Sequence, residues 1–204
     1  VTATTDRPRD VLANWPHPPD GGWKADDLDL LPQDGPDGEL DLFKHVELID
    51  GTLILRSPQR RFHERVVQKL AYALRQQAPE SLAVATRMDI KIGKRQRTCP
   101  DIVVIDTAAD SHNATSYPPE AVHLVVEVVS PESEYRDREV KPRIYADAGI
   151  KHFWLVEEEE GKPVILSYVL DEVTHFYRAD ATHHGRLTAK SPFPVEVDFA
   201  DLLR

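Results

Sequence analysis

The stretch Leu124-Val125-Val126-Glu127-Val128-Val129, closed by Ser130-Pro131, decides how this chain reads. A short apolar run rich in valine and stopped by a proline predicts a strand buried on both faces. Glu127 lies inside it. An ionised carboxylate there is costly unless it is paired, hydrogen-bonded or bound to a metal. The plainer alternatives are a solvent-facing sheet edge or a buried arginine partner. A second apolar run, Ile102-Val103-Val104-Ile105, follows Pro100-Asp101. Alone, Asp101 reads as an ordinary strand-initiating residue capping a turn. With Asp101 at the start of one strand and Glu127 within its expected neighbour, two carboxylates can converge at one point of a sheet. Hard oxygen donors of this kind suit Mg²⁺ or Mn²⁺.

Downstream, Asp137, Lys141 and Tyr145 recur four residues apart in a segment predicted helical from Asp137 to Ala148, with Gly149 as its stop. They form either a surface Asp–Lys pair or a face that points Lys141 at the two carboxylates. Pro142 disfavours helical backbone at Lys141, which weakens the face-sharing argument. Upstream, Val46 to Leu55 reads as a hairpin turned by Asp50-Gly51, which sets Glu47 opposite Ile54. Phe62, Val66, Val67, Leu70, Ala71 and Leu74 have helical spacing, predicting an amphipathic helix over 60–77 that ends at Pro79. A strand is expected over Val84 to Ile92, then a basic turn from Gly93 to Arg97 and a polar loop over 106–120. Phe153 to Val156 is a further strand, and Val164 to Val169 with Thr174 to Tyr177 continues as a meander. The pattern is a mixed central sheet flanked by helices, of α/β or α+β class.

The chain has 204 residues, 41% of them apolar and 29% charged, which suits one folded domain with some extra chain. Residues 1–41, rich in Pro, Asp and Gly, read as an N-terminal arm anchored by Trp15 and Trp23. Trp23 to Leu31 is a possible short helix stopped by Pro32, and Gln33 to Gly38 a loop. Residues 42–204 read as the domain, with a C-terminal β extension. The formal net charge of −10 argues against a protein that coats nucleic acid through phosphate neutralisation, but not against an enzyme that meets nucleic acid locally. Cys99, the one cysteine, makes no intramolecular disulfide. No apolar stretch is long enough to span a membrane, and nothing signal-like opens the chain as given. A cytoplasmic, reducing location is expected.

Taken in order, Glu47-Leu-Ile-Asp-Gly51, Ser57-Pro58, His63, Pro100-Asp101, Glu127-Val-Val-Ser-Pro131, Asp137, Lys141, Tyr145, Gly149 and Trp154 resemble the pattern of the Uma-two family, over roughly residues 21–170. These are bacterial proteins regarded as endonucleases of restriction-endonuclease-like fold. The resemblance implies a core of the Pro-Asp…Asp/Glu-x-Lys superfamily. Asp101 and Glu127 would be its metal-binding acids, the Val128 carbonyl a further ligand, and Glu47 a support for the ion or its water. Two residues after the second acid the superfamily expects lysine, and this chain has Val129. In the Uma-like pattern that lysine is relocated to the following helix, here Lys141. The lead into the hairpin, Asp34 to Lys44, is longer than usual.

The expected activity is therefore Mg²⁺- or Mn²⁺-dependent hydrolysis of phosphodiester bonds in nucleic acid, DNA first, with a homodimer as a plausible assembly. The rival readings are a non-catalytic binding or assembly module on a nuclease scaffold, and a hydrolase of a small phosphodiester. His63, Asp137 and Tyr145 are candidate substrate contacts. Lys94, Arg95 and Arg97 are either a phosphate-binding cluster or a solvated turn. Asp89, alternating with Met88 and Ile90 on a strand, either faces the site or, more simply, is a solvent-facing strand residue, and His183-His184 is an exposed-loop pair. His63-Glu64 lacks the second histidine of a zinc-protease helix, and no phosphate-binding glycine loop or serine-hydrolase elbow is present.

Overall fold

In the computed structural model, which describes residues 16–32, 34 and 43–204, Asp50 and Gly51 both take left-handed backbone, φ 50° and 78°. A two-residue turn of this kind matches the twist of the strands it joins. These are β1 (Glu47–Ile49) and β2 (Thr52–Ile54), with Glu47 opposite Ile54 as the sequence predicts. Helix α1 (Arg61–Gln77) follows, burying His63, Val66, Val67, Leu70, Ala71 and Leu74 along one face.

The strand expected over Val84 to Ile92 is two strands, β3 (Leu82–Thr86) and β4 (Asp89–Gly93). Arg87 between them is left-handed, φ 53°, and there the chain leaves one sheet for another. The basic turn is shorter than expected. Only Lys94 and Arg95 turn, and Arg97 lies within β5 (Gln96–Thr98). Next come β6 (Ile102–Asp106), β7 (Ser116–Tyr117) and β8 (Val122–Val128).

The segment after β8 opens as a π-helical turn, Arg136–Val140, before helix α2 (Lys141–Asp147). Pro142 has no N–H to donate, and its ring crowds the carbonyl four residues earlier, so a wider turn is the helical solution. The Lys141 amide accordingly bonds back to the Arg136 carbonyl. Strands β9 (His152–Glu159), β10 (Lys162–Asp171) and β11 (Phe176–His184) form the meander. His183 and His184 are therefore strand residues rather than an exposed loop, and His183 meets the Ser167 hydroxyl at 3.3 Å. Strands β12 (Arg186–Ala189) and β13 (Val195–Asp198) pair as a separate hairpin, and a last turn of helix is α3 (Phe199–Leu202).

The main sheet runs β11-β10-β9-β8-β6-β3, and a second runs β2-β1-β5-β4-β7. β8 sits between an antiparallel β6 and a parallel β9, so the sheet is mixed. Leu124, Val126 and Val128 face a core built with α1, α3 and the β12–β13 hairpin. Val125 faces the opposite core with Tyr145, Ile150 and Phe153. This is the α/β arrangement of the restriction-endonuclease-like class, with helices on both faces of a central mixed sheet.

Ahead of the sheets, the short helix expected near Trp23 is a 3-10 helix, Ala25–Leu30. Trp15, most of Gln33 to Gly38 and most of the lead from Asp34 to Lys44 lie outside the described residues. Among the described residues, no helix is long and apolar enough to cross a membrane.

Candidate active site

Register places the two acids. Ile102, the residue after Asp101, pairs with Val126, the residue before Glu127, across β6 and β8, and this brings the acids near enough for the Asp101 charge to act on Glu127. Both are about 1% exposed. Asp101 is held on three sides. Arg56 Nη2 donates to Oδ1 at 2.6 Å, the Val128 amide donates to Oδ2 at 2.9 Å, and His63 Nε2 lies 3.0 Å from Oδ2. Burial works against the Asp101 charge, but His63, Arg56 and the Val128 amide outweigh it and hold its pKa well below the carboxylate range.

Glu127 belongs to a second group of contacts. Tyr145 donates its hydroxyl to Oε1 at 2.6 Å, and Lys141 Nζ donates to Oε2 at 3.2 Å. The same ammonium lies 3.0 Å from Glu47 Oε1 and 3.2 Å from Asp137 Oδ1. Glu47 Oε1 also accepts the Cys99 amide at 2.9 Å, and Asp137 accepts the Ser133 hydroxyl. Burial pushes the Glu127 carboxyl well above its ordinary value, with Lys141 opposing and the neighbouring acids adding to it. Burial raises Asp137 as well. For Lys141 burial works the other way, yet Glu127, Glu47 and Asp137 outweigh it and hold the ammonium protonated.

The π turn followed by α2 keeps Asp137, Lys141 and Tyr145 on one face despite Pro142. The structure thus brings together Glu47, His63, Asp101, Glu127, Val128, Asp137, Lys141 and Tyr145. Val128 contacts the group through its amide on Asp101.

Two expected contacts lie elsewhere. Arg97 is 3% exposed, and its guanidinium faces protein partners rather than solvent. Its Nε donates to Asp89 at 2.6 Å, its Nη2 to Asp29 at 2.8 Å and its Nη1 to the Ala25 carbonyl at 3.0 Å. Asp89 is therefore an ion-pair partner rather than a solvated strand residue. Arg95 lies at the outer turn, donating to the Asp50 carbonyl at 2.7 Å. Arg56, by contrast, was not singled out by sequence. It follows β2 in an irregular segment, and its only signal is its place just before Ser57-Pro58.

Residues 39–197 match the model of the Uma-two family, described as "Putative restriction endonuclease". The chain belongs to the Uma-two family. Among curated proteins, none matches it. Among solved structures, it is similar to a "putative nuclease" from Anabaena variabilis ATCC 29413 at a TM-score of 0.60 and 15% identity, over 88% of this chain and 96% of that one. At that identity the likeness is one of fold.

Members of a nuclease family of this kind imply a divalent cation. In this Uma-two chain, among the described residues, no three His, Cys, Asp or Glu side chains form a ready-made metal shell. The donor chemistry nevertheless fits Mg²⁺ or Mn²⁺, which commonly bind through one or two carboxylates and complete their shells with water and phosphate oxygens. Four buried acids, Glu47, Asp101, Glu127 and Asp137, stand against two permanent cations, Arg56 and Lys141. Asp101 Oδ1 and Glu127 Oε2 each take a single hydrogen bond from a named donor, which leaves a lone pair on each.

Proposed function

We propose that this Uma-two chain hydrolyses phosphodiester bonds of nucleic acid, DNA in the first instance, with Mg²⁺ or Mn²⁺ held by Asp101 and Glu127. One observation carries the reading. Two buried carboxylates, one just before β6 and one within the neighbouring β8, lie near enough for their charges to interact, each with acceptor capacity to spare, and a buried ammonium lies against one of them. When bound, such an ion lowers the pKa of its water and polarises the scissile phosphate.

The protein's own groups orient the reaction. Arg56, His63 and the Val128 amide fix the Asp101 carboxylate, and Tyr145 fixes that of Glu127. The Val128 carbonyl is the third protein ligand in this proposal. Lys141 orients the attacking water and offsets charge that develops on the phosphate, with Glu47 and Asp137 steadying its ammonium.

The test compares plasmid DNA, single-stranded RNA and bis(p-nitrophenyl) phosphate in Mg²⁺, in Mn²⁺ and in EDTA. Cleavage of nucleic acid in divalent metal alone is expected, falling about 100-fold or more in Lys141→Ala, the scale of losing one transition-state donor. Cleavage that persists in EDTA overturns the proposal, and cleavage of the small diester alone moves the substrate class. The non-catalytic reading is favoured by the enclosure of the acid cluster, whose members are 1% to 2% exposed. It predicts no cleavage of any of the three.

A further inference from the structure

The Lys141 ammonium has three N–H donors and three carboxylates within reach: Glu47 at 3.0 Å, Glu127 at 3.2 Å and Asp137 at 3.2 Å. The side chain is 2% exposed, so bulk water screens these charges little. Asp137 Oδ1 has no hydrogen-bond partner and faces the ammonium as its ion-pair neighbour. Glu127 has two roles to fill. It tethers the ammonium, and in the proposed function it also holds the divalent ion. A doubly charged ion at Glu127 would sit against a resident positive charge in a site that water does not shield.

We infer that Lys141 is an internal counter-ion that competes with the divalent cation for Glu127 and so keeps metal affinity weak. The inference rests on the proposed metal-dependent reading and deepens it. A lysine that only contacts substrate would leave metal affinity unchanged. One that helped to assemble the metal shell would weaken binding when removed. Competition alone predicts tighter binding once the ammonium is gone, because three carboxylates are then left without their cation.

The experiment is a calorimetric Mn²⁺ titration of the full chain as wild type and Lys141→Met, with circular dichroism and thermal melts in EDTA and in Mn²⁺. Methionine keeps an unbranched apolar stem and removes the charge. The expected result is a Kd about ten-fold tighter or more in the variant, the scale of an ordinary coupling between two ligands. Its melting temperature should also rise more with Mn²⁺ than that of the wild type does. Equal or weaker Mn²⁺ binding by a folded Lys141→Met overturns the inference and leaves the metal reading standing. Absence of Mn²⁺ binding in wild type and variant alike overturns both.

If Lys141→Met is unfolded in EDTA, refolding on addition of Mn²⁺ supports the inference. If it folds in neither condition, the double variant Lys141→Met with Glu47→Gln carries one buried negative charge fewer and takes its place. Tighter Mn²⁺ binding than in Glu47→Gln alone is then the supporting result, and equal or weaker binding the contrary one.

Discussion

Arg97 and Lys141 are both cations buried to within a few per cent of full enclosure, and their surroundings give them different work. Lys141 sits where carboxylates from β1, β8 and the π turn meet, beside the face proposed for chemistry. Arg97 is a clamp. Its guanidinium ties Asp89 on β4 to Asp29 and the Ala25 carbonyl, and so holds the 3-10 helix Ala25–Leu30 against the second sheet. Hydrogen bonding from Arg97 lowers the Asp29 pKa below its ordinary 3.8. A carboxylate depressed in this way stabilises the docked helix above pH 3.8, and the contribution is lost as pH falls through the folded value. Hydrogen exchange at residues 25–30 should therefore be slow at neutral pH and accelerate below pH 3.8, after correction for intrinsic rates. Arg97→Met should exchange fast at both. Equal protection in wild type and variant at neutral pH would remove the clamp from the account.

The difference between the two cations was only partly legible. Lys141 shares a four-residue spacing with Asp137 and Tyr145, which a helix converts into a face. Arg97 sits in a run of basic residues that reads the same whether solvated or paired. Its partner Asp29 lies 68 positions away in the chain.

Elements carried most of what the sequence made readable. The Leu124–Val129 run reads as a buried strand and is one through Val128, and Glu127 within it pointed to the candidate site. The Asp50-Gly51 turn set the Glu47–Ile54 register directly. The break between β3 and β4 was hidden because Arg87-Met88 contains neither Gly nor Pro, and the left-handed φ of 53° falls on an arginine. Arg56 was hidden for a related reason: it lies in irregular chain, where no periodicity says which way a side chain points. The two hairpin turns also meet each other, since the Gly51 amide donates to the Arg95 carbonyl at 3.0 Å and Arg95 donates back to Asp50. An added Cβ at Gly51 would carry the left-handed penalty at φ 78° and meet the Arg95 guanidinium. Gly51→Ala should cost about 1–2 kcal/mol, read as a lower urea midpoint with an unchanged slope. An unchanged midpoint would show that the turn tolerates a side chain.

On the scale of the whole molecule, the central mixed sheet brings to one place groups from β1, the segment after β2, α1, the start of β6, β8 and α2. A net charge of −10 leaves little long-range attraction for nucleic acid. In the proposed function, local groups and a divalent ion supply most of the hold on phosphate. The central claim is that Glu127 is part of that hold. The most direct measurement is the rate of plasmid DNA cleavage in Mn²⁺ by Glu127→Gln beside wild type, with circular dichroism confirming that both are folded. The expected result is metal-dependent cleavage by the wild type and a loss of about 100-fold or more in the variant. Equal rates in the two folded proteins would contradict it.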